Sequence, residues 1–283
     1  MMGGRSTAPG GAMKRREWTE SPEEQWRALL VDGVGGFAPF RRVLGHLPAA
    51  PRCKVCNNPF NGPVGTAFRA VGHAPSRKNP NVCKACFEHT PPGGVDIDVA
   101  VLFADVRGST HLGEGRDAVA YAELMNRFYR AATTVLVAHD AIIDKLIGDE
   151  VMALFLRGVA GPEYRRRSVE AGVELLRAAG YGSAEGPWLS IGVGVHAGTA
   201  FVGNVGGEDG VVDFTALGDP VNVAARLQAL ARGGEIVVSE DVDEHLDQVL
   251  PGAQRRTAEL RGHDEPVRIL VHQPWESPLD AVG

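Results

Sequence analysis

The sequence predicts an α+β fold: a ferredoxin-like split βαββαβ domain with a small N-terminal four-cysteine module. From Val95 onward, apolar strand patterns and helical patterns follow in the order strand, helix, hairpin, helix, strand, which is the ferredoxin-like arrangement. The nearly continuous apolar run Ile97–Val106 is typical of a strand buried on both faces. The cysteines precede this region in two C-x2-C pairs, which predict a separate metal-binding module.

Length and composition limit the classes of function that the chain can have. The chain has 283 residues and is 44% apolar, which suits one full-sized domain plus a smaller module. Its net charge of -6 gives no general attraction to nucleic acid or to anionic membranes. No run approaches the ~20 apolar residues of a membrane helix, and no export signal is present. We therefore expect no nucleic-acid partner, no membrane insertion and a cytoplasmic location.

The first fifty residues predict two short segments. Residues 1–20 are rich in glycine and basic residues, which favours a disordered tail. Residues 21–50 predict a short amphipathic helical segment. Ser21 is a capping side chain, proline and two acidic residues follow it, and apolar residues then recur at helical spacing to Leu30 and again from Phe37. This segment is too short to fold alone, so we expect it to pack on the rest of the chain.

The four-cysteine module covers residues 51–90. Cys53 and Cys56 form one C-x2-C pair and Cys83 and Cys86 the other, with 26 residues between the pairs. Four thiolates in this pattern suit a tetrahedral structural Zn²⁺. An iron–sulfur cluster and a thiol redox switch are the alternatives. We expect the module to orient a dimer or to regulate it.

The main domain covers residues 95–275. After the buried strand, helices are predicted at about 121–135, at 162–179 and from Asp219 onward. Strands are predicted at 141–147, 150–156, 189–196, 199–205, 211–217, 235–238 and 267–272. A tight turn at Gly148-Asp149 joins the first two of these strands.

Two carboxylates are predicted at the rim of the sheet. Asp105 ends the buried strand, and Asp149 lies at the tip of the adjacent hairpin. Two carboxylates brought together repel each other unless cations lie between them, and Mg²⁺ commonly joins carboxylates to phosphates. The alternative is that Asp105 caps the next turn and Asp149 is an ordinary turn residue.

Three segments resemble the signature motifs of one family. Phe103–Thr110, Lys145–Ala153 and Phe214–Leu227 closely resemble, in the same order, motifs of the class III nucleotidyl cyclases. The resemblance covers about residues 95–272. It implies that Asp105 and Asp149, with the backbone carbonyl of Val106, bind two Mg²⁺ or Mn²⁺ ions during cyclisation of a nucleoside triphosphate.

The resemblance also assigns the residues that recognise the base. The family's two purine-reading positions hold Lys145 and Thr215. A lysine donor suits adenine N1 and a threonine oxygen suits the adenine amine, whereas guanylate members usually place Glu and a small polar or Cys residue there. The implied activity is therefore an adenylate cyclase making cyclic AMP from ATP. A guanylate or pyrimidine nucleotide cyclase and a catalytically weak pseudocyclase that binds nucleotide are the alternatives.

The remaining assignments concern the ribose and the phosphates. By resemblance Asn222 orients the ribose and Arg226 stabilises charge on the α-phosphoryl group, while Arg261 stands where the family usually has a lysine for the terminal phosphates. Residues 207–213 lack the basic residue that many relatives carry, and Arg107 is a candidate substitute. In the family, the metal ligands of one chain face the other residues of a second chain, so a homodimer with two shared sites is expected.

Overall fold

The computed structural model describes residues 21–33, 44, 51–88, 90, 92–114, 117–206, 212–263 and 265–275. The predicted tail 1–20 lies outside the described residues. So do residues 34–43 and 45–50 of the predicted helical segment, and residues 207–211.

The described residues form helices and strands with the following bounds. The helices are α1 (Pro22–Leu30), α2 (Gly62–Ala70), α3 (Lys84–Glu88), α4 (Ser109–Glu114), α5 (Ala118–Ala138), α6 (Arg157–Ala160), α7 (Tyr164–Ala178), α8 (Asp219–Leu230) and α9 (Leu246–Val249), with a 3-10 turn at Glu240–Val242. The strands are β1 (Gly93–Val106), β2 (Ile142–Ile147), β3 (Glu150–Phe155), β4 (Ile191–Gly206), β5 (Val212–Leu217), β6 (Ile236–Ser239), β7 (Gln254–Ala258) and β8 (Val267–His272).

The described strands form one eight-stranded sheet. Its order is β2-β3-β1-β4-β6-β8-β7, with β5 paired to β4. The first four of these strands pair antiparallel with one another, and with the crossover helices α5 and α7 they make the ferredoxin-like βαββαβ unit. The predicted fold class is confirmed.

Two strand predictions were wrong. The sequence predicted separate strands at 189–196 and 199–205, but β4 is one continuous strand whose residues 191–204 all have partners on β1. Ala197 and Gly198 are small enough to lie within the strand, so they do not end it. Strand β7 was not predicted, because its polar residues are mostly exposed and carry no alternating apolar signal.

Both faces of the central sheet are covered. Along β1, Ala100, Leu102 and Ala104 face the core formed with α5 and α7, while Val99, Val101 and Phe103 face the opposite core. This alternation follows from the two-residue period of a strand. It explains why the apolar run of β1 has no polar face.

The second face is covered by α1 and the cysteine module. Helix α1 begins with a capping box between Ser21 and Glu24, which satisfies two backbone donors at its start. Trp26 is 0% exposed, and its ring stacks on Phe214 of β5 with centroids 5.9 Å apart. Fully burying a large apolar side chain contributes about 1.5–3 kcal/mol, so α1 is a packed part of the fold. Within the described residues, no helix has the length and apolar character needed to cross a membrane.

Candidate functional site

The structure brings Asp105 and Asp149 together at one end of β1. Asp105 pairs in register with Glu150, the first residue of β3. The backbone N–H of Val106 donates to the carbonyl of Asp149 at 3.2 Å, which ties the end of β1 to the hairpin turn. The two predicted carboxylates and the Val106 backbone therefore share one corner of the sheet.

The β2–β3 turn holds Asp149 in place. Gly148 has φ +62°, and glycine adopts such a value in the first central position of a tight hairpin turn without steric cost. The hydroxyl of Tyr129 on α5 donates to the carbonyl of Gly148 at 2.7 Å. Helix α5 thereby fixes the turn that presents Asp149.

The carboxylates at this corner repel one another. Burial, with the nearby charge of Asp149, raises the pKa of Asp105 from 3.8 to about 6, although Arg107 acts in the opposite direction. Burial and Asp149 also raise the pKa of Glu150. A set of crowded carboxylate oxygens with a backbone carbonyl beside them is the donor set that Mg²⁺ or Mn²⁺ prefers, so these residues fit a divalent cation.

A second group forms around Lys145 on β2 and Thr215 on β5. The ammonium of Lys145 donates to Thr215 Oγ1 at 3.1 Å, to Asp213 Oδ2 at 3.0 Å and to Asp144 Oδ1 at 3.2 Å. Thr215 in turn donates its hydroxyl proton to Asp144 Oδ2 at 2.7 Å. The two predicted base-reading residues are therefore in direct contact, although 70 positions separate them.

Asp144, Asp213 and Lys78 belong to this group, and sequence reasoning missed all three. The Asp144 side chain is 0% exposed. Burial raises the pKa of Asp213, but ion pairs with Lys78 and Lys145 outweigh it, so the pKa is lowered overall. Burial lowers the pKa of Lys145, but its interactions with Asp213 and Asp144 have a larger effect, so the pKa is raised overall. Asp144 could have been found from the sequence, because it is an acidic residue next to Lys145 in an otherwise apolar strand. No feature of the sequence pointed to Lys78.

Helix α8 carries Asn222 and Arg226 on one face. It packs directly on β4 because Gly194 has no side chain: a methyl group there would lie 2.1 Å from the backbone nitrogen of Gln228. Asn222 is exposed. Among the described residues, Arg226 Nη1 has no hydrogen-bond partner although it is buried. An unpaired buried donor is costly, and Arg226 has an N–H group that the described residues do not use.

The loop between β7 and β8 lies beside Arg226. A methyl group added at Gly262 would be 3.5 Å from Arg226 Nη2, and the imidazole Nε2 of His263 lies 2.9 Å from Asp219 Oδ1 at the start of α8. Arg261 is exposed on this loop. The structure therefore places the two predicted phosphate cations, Arg226 and Arg261, on neighbouring elements.

The guanidinium of Arg107 is hydrogen-bonded within its own chain. Its Nη2 donates to the carbonyl of Gln228 at 2.5 Å. This hydrogen bond would have to break before Arg107 could bind phosphates through that nitrogen. The segment 207–211, where the family's basic residue is missing from the sequence, lies outside the described residues.

The predicted site residues thus form separate groups within one chain. Asp105 and Asp149 lie at the hairpin corner, Lys145 and Thr215 lie on the face shared by β2 and β5, and Arg226 lies on α8. Within the described residues, no hydrogen bond or ion pair joins the corner carboxylates to Lys145 or to Arg226.

The four cysteines form one compact cluster. All four sulfur atoms lie within 4.8 Å of one another, with Cys53 Sγ 3.9 Å from Cys86 Sγ and Cys56 Sγ 3.7 Å from Cys83 Sγ. These separations are far longer than the ~2.05 Å of a disulfide. Four thiolates this close together would repel one another, and burial adds to the cost of their charge, so holding all four requires a cation.

The module is tied to the main domain by polar contacts. Lys54 pairs with Asp140 at 2.7 Å, Asn79 donates to the carbonyl of Ala141 at 2.7 Å, and Lys78 reaches the group around Lys145. His73 lies beside the cluster, with Nδ1 3.6 Å from Cys83 Sγ.

Comparison with known proteins gives consistent results. The family model of the adenylate and guanylate cyclase catalytic domain matches residues 96–273. The uncharacterised proteins Rv1319c and Rv1320c of Mycobacterium tuberculosis are each 32% identical to the chain, over 72% and 76% of it. The alignments cover only 36% and 37% of those proteins, so the chain spans about a third of the length of these curated relatives.

Solved structures of two cyclases resemble the fold. The guanylyl cyclase Cya2 matches with 27% identity and a TM-score of 0.55, covering 66% of this chain and 96% of that one. The adenylyl cyclase CyaB from P. aeruginosa matches with 27% identity and a TM-score of 0.52, covering 62% of this chain and 92% of that one.

Proposed function

The chain belongs to the family of adenylate and guanylate cyclase catalytic domains, and from that premise we propose that it converts ATP to 3′,5′-cyclic AMP and pyrophosphate. The reaction takes place at two equivalent sites, each shared between two copies of the chain. The 3′-oxygen of the ribose bonds to the α-phosphorus, and the bond from that phosphorus to the β-phosphate oxygen breaks. Pyrophosphate leaves, and the 3′-hydroxyl proton passes to water.

The preference for adenine is supported above all by the hydrogen bond from Thr215 to Asp144. An ionised carboxylate can only accept, so the hydroxyl proton of Thr215 is committed to Asp144 Oδ2 at 2.7 Å. Thr215 then offers the base a lone pair, and Lys145 offers an N–H. Adenine presents an amine donor and the N1 acceptor, which match these two groups, whereas guanine presents the opposite pattern. Cya2 and CyaB are named for different nucleotides but have the same sequence identity to the chain. The proposed base preference therefore rests on the group around Lys145 and Thr215, which we call the base pocket.

Asp105, Asp149 and the Val106 carbonyl would hold two Mg²⁺ or Mn²⁺ ions. When bound, the ions lower the pKa of the attacking hydroxyl and neutralise charge on the phosphates. The chain's own contribution is position: Tyr129 and the Gly148 turn fix Asp149, so the two carboxylates are set before nucleotide binds.

The groups on and beside α8 act on the sugar and phosphates. Asn222 orients the ribose, Arg226 stabilises the charge that develops on the α-phosphoryl group, and Arg261 binds the terminal phosphates. The Nη1 of Arg226, which has no hydrogen-bond partner among the described residues, supports this role. Losing such a donor typically costs ~2.7–4 kcal/mol of barrier.

A site shared between two chains is what the family resemblance implies. Within the described residues, the corner carboxylates make no hydrogen bond or ion pair with Arg226, and both groups are proposed to touch one triphosphate. A two-fold dimer places the carboxylates of one chain opposite Arg226, Lys145 and Thr215 of its partner, and does so twice.

The cysteine cluster is proposed to hold one structural Zn²⁺. In a tetrahedral site with Zn–S of ~2.3 Å, the sulfur atoms lie about 3.8 Å apart, and the separations of 3.7 and 3.9 Å fit that value. An iron–sulfur cluster places two or more iron atoms between its thiolates, which must then lie further apart. A single ion is therefore favoured over a cluster.

The proposal is tested by incubating the purified chain with each nucleoside triphosphate and Mg²⁺ or Mn²⁺ and identifying the products by mass. Cyclic AMP is the expected main product. Equal or greater turnover of GTP would overturn the adenine assignment, and no cyclic product from any triphosphate would make the chain a pseudocyclase.

A further inference from the structure

One lysine of the cysteine module reaches the pocket that is proposed to read the base. Lys78 lies between α2 and α3, and its ammonium donates to Asp213 Oδ1 at 2.6 Å and to the carbonyl of Phe214 at 2.9 Å. It also lies 3.7 Å from Asp144 Oδ1. Lys78 thus touches both carboxylates that contact Lys145.

The loop that carries Lys78 is held in place by its backbone. The carbonyl of Lys78 accepts from the N–H of Ile143 on β2 at 3.0 Å. The next residue, Asn79, is 0% exposed and donates to the carbonyl of Ala141. The loop is therefore fastened to the strand that presents Asp144 and Lys145, and the direction of Lys78 is set by the fold.

Charge balance gives Lys78 its importance. The pocket contains two carboxylates, Asp144 and Asp213, and Asp144 is fully buried. The Asp213 side chain is 45% exposed, but both carboxylates lie against Lys145, and one ammonium cannot neutralise two negative charges. The charge left unpaired is most costly at buried Asp144. Lys78 and Lys145 together neutralise both carboxylates. Without Lys78, Lys145 would be the remaining cation in direct contact with both carboxylates among the described residues.

This balance affects what Lys145 can offer a ligand. A lysine has three N–H donors, and Lys145 already uses all three in hydrogen bonds to Asp144, Asp213 and Thr215. One of them must be released before a base can bind. Releasing the bond to Asp213 costs least when another ammonium already neutralises that carboxylate, and Lys78 does so at 2.6 Å.

We propose that Lys78 is a positioning residue of the base pocket: by pairing with Asp213 it allows Lys145 to donate to the purine. The inference rests on the proposed function, because it deepens the assignment of the base site. It gives the cysteine module a direct part in nucleotide selection, in addition to any structural part.

The test compares Lys78→Met with Lys54→Met in the full chain. Lys54 makes an ion pair of the same kind from the same module, to Asp140 at 2.7 Å. Asp140 retains Arg167 at 2.7 Å when Lys54 is removed, and this pair lies outside the base pocket. Thermal unfolding of both variants controls for loss of fold.

Two readouts are used, one of them independent of turnover. Steady-state kinetics with ATP and GTP give KM and kcat, and calorimetry gives the Kd of 3′-deoxy-ATP and 3′-deoxy-GTP, which lack the attacking hydroxyl. We expect Lys78→Met to raise both KM for ATP and Kd for 3′-deoxy-ATP about tenfold, to change kcat by less than about twofold and to reduce the preference for adenine, a tenfold change being one decade of affinity. Lys54→Met should match the wild type.

Two further variants separate a charge effect from a structural one. Lys78→Arg retains the cation and should recover most of the affinity. The double variant Lys78→Met with Asp213→Asn leaves one cation, Lys145, facing one carboxylate, Asp144. It should therefore bind 3′-deoxy-ATP more tightly than Lys78→Met alone, which is the coupling expected of interacting charges. A purely structural role of Lys78 predicts no such recovery.

The outcomes are distinct. Equal affinity and equal selectivity of Lys78→Met and Lys54→Met would overturn the inference, as would tighter binding by Lys78→Met, which would mean that Lys78 obstructs the pocket. If the wild type forms no cyclic nucleotide but its binding of 3′-deoxy-ATP depends on Lys78 as described, the proposed turnover fails and the inference stands. If the wild type binds neither analogue, both fail.

Discussion

The hydroxyl of Thr215 donates to Asp144 Oδ2 across 2.7 Å, so the one proton of that hydroxyl points at a buried carboxylate. The hydroxyl of Thr215 can either donate or accept a hydrogen bond. Asp144, which precedes Lys145 in the sequence, determines which of the two it does. If Thr215 reads the base as proposed, the nucleotide preference depends on Thr215 and Asp144 together.

Changing Asp144 to Asn should weaken the preference for ATP. The neutral amide can donate to Thr215 Oγ1, which frees the hydroxyl proton to face guanine O6. We expect the ratio of kcat/KM for ATP over GTP to fall about tenfold, or about 1.4 kcal/mol. Asp140→Asn is the matched control, because Asp140 is also a buried aspartate paired with a lysine of the module. The same ratio in both variants would contradict the role of Asp144.

Two inactive variants should complement each other. Asp105→Ala removes a proposed metal ligand and Arg226→Ala removes the proposed transition-state cation, so each homodimer should be nearly inactive. If sites are shared, a heterodimer collects both defects in one site and leaves the other intact. Statistical mixing makes about half the dimers heterodimers with one good site each, so co-expression should restore roughly a quarter of wild-type activity. Variants that pair without recovering activity would place the whole site within one chain.

The proposed metal site at Asp105 and Asp149 should show a pH-dependent thermal stability. Burial and Asp149 raise the pKa of Asp105 from 3.8 to about 6, so without metal the folded chain binds a proton that the unfolded chain has lost. Stability without metal should then fall as pH rises from about 4 to about 6, by linkage. Asp105→Asn stays neutral, so its Tm should rise relative to the wild type across that window.

The same pair of proteins tests cation binding. At pH 7, Mn²⁺ should raise the Tm of the wild type and leave Asp105→Asn unchanged, because binding to the folded state alone stabilises it. At pH 5 the effect on the wild type should shrink, since protons compete for Asp105. A Tm increase of equal size in both proteins would show that Mn²⁺ binds elsewhere.

The cysteine cluster should contain about one zinc per chain, with no visible absorption. Cys86→Ser removes one of the four thiolates and should lower zinc content in metal analysis. His73→Ala should retain the zinc, because His73 lies outside the group of four ligand atoms, although it should lose zinc faster, since residues beside a site tune its affinity. A brown protein, or full zinc content in Cys86→Ser, would refute a four-thiolate zinc site.

Local features of the sequence were enough for much of the fold. The capping box of α1, the apolar run of β1 and the Gly148-Asp149 turn each rest on neighbouring residues, because helix caps, strand periodicity and tight turns are set within a few positions. The placement of Asp105 and Asp149 at one corner followed from the same reasoning, since one ends a strand and the other lies at the tip of the adjacent hairpin.

Other features required the tertiary structure. Nothing local distinguishes one continuous β4 from two strands, because only pairing with β1 along residues 191–204 shows that the strand continues. The polar strand β7 likewise depends on its partner β8. Pairing between distant segments has no signature in the residues of either segment alone.

The sequence by itself determined which residues are candidates for the proposed chemistry: two carboxylates, Lys145, Thr215 and Arg226, each in a recognisable local setting. The tertiary structure alone decided their partners. It brings Lys78 to Asp213 across 135 positions, turns the Thr215 proton towards Asp144 and leaves a buried nitrogen of Arg226 unpaired among the described residues. The reason is physical: charge neutralisation and burial depend on distances in space, and residues far apart in the chain acquire those distances only when the sheet and the cysteine module pack together.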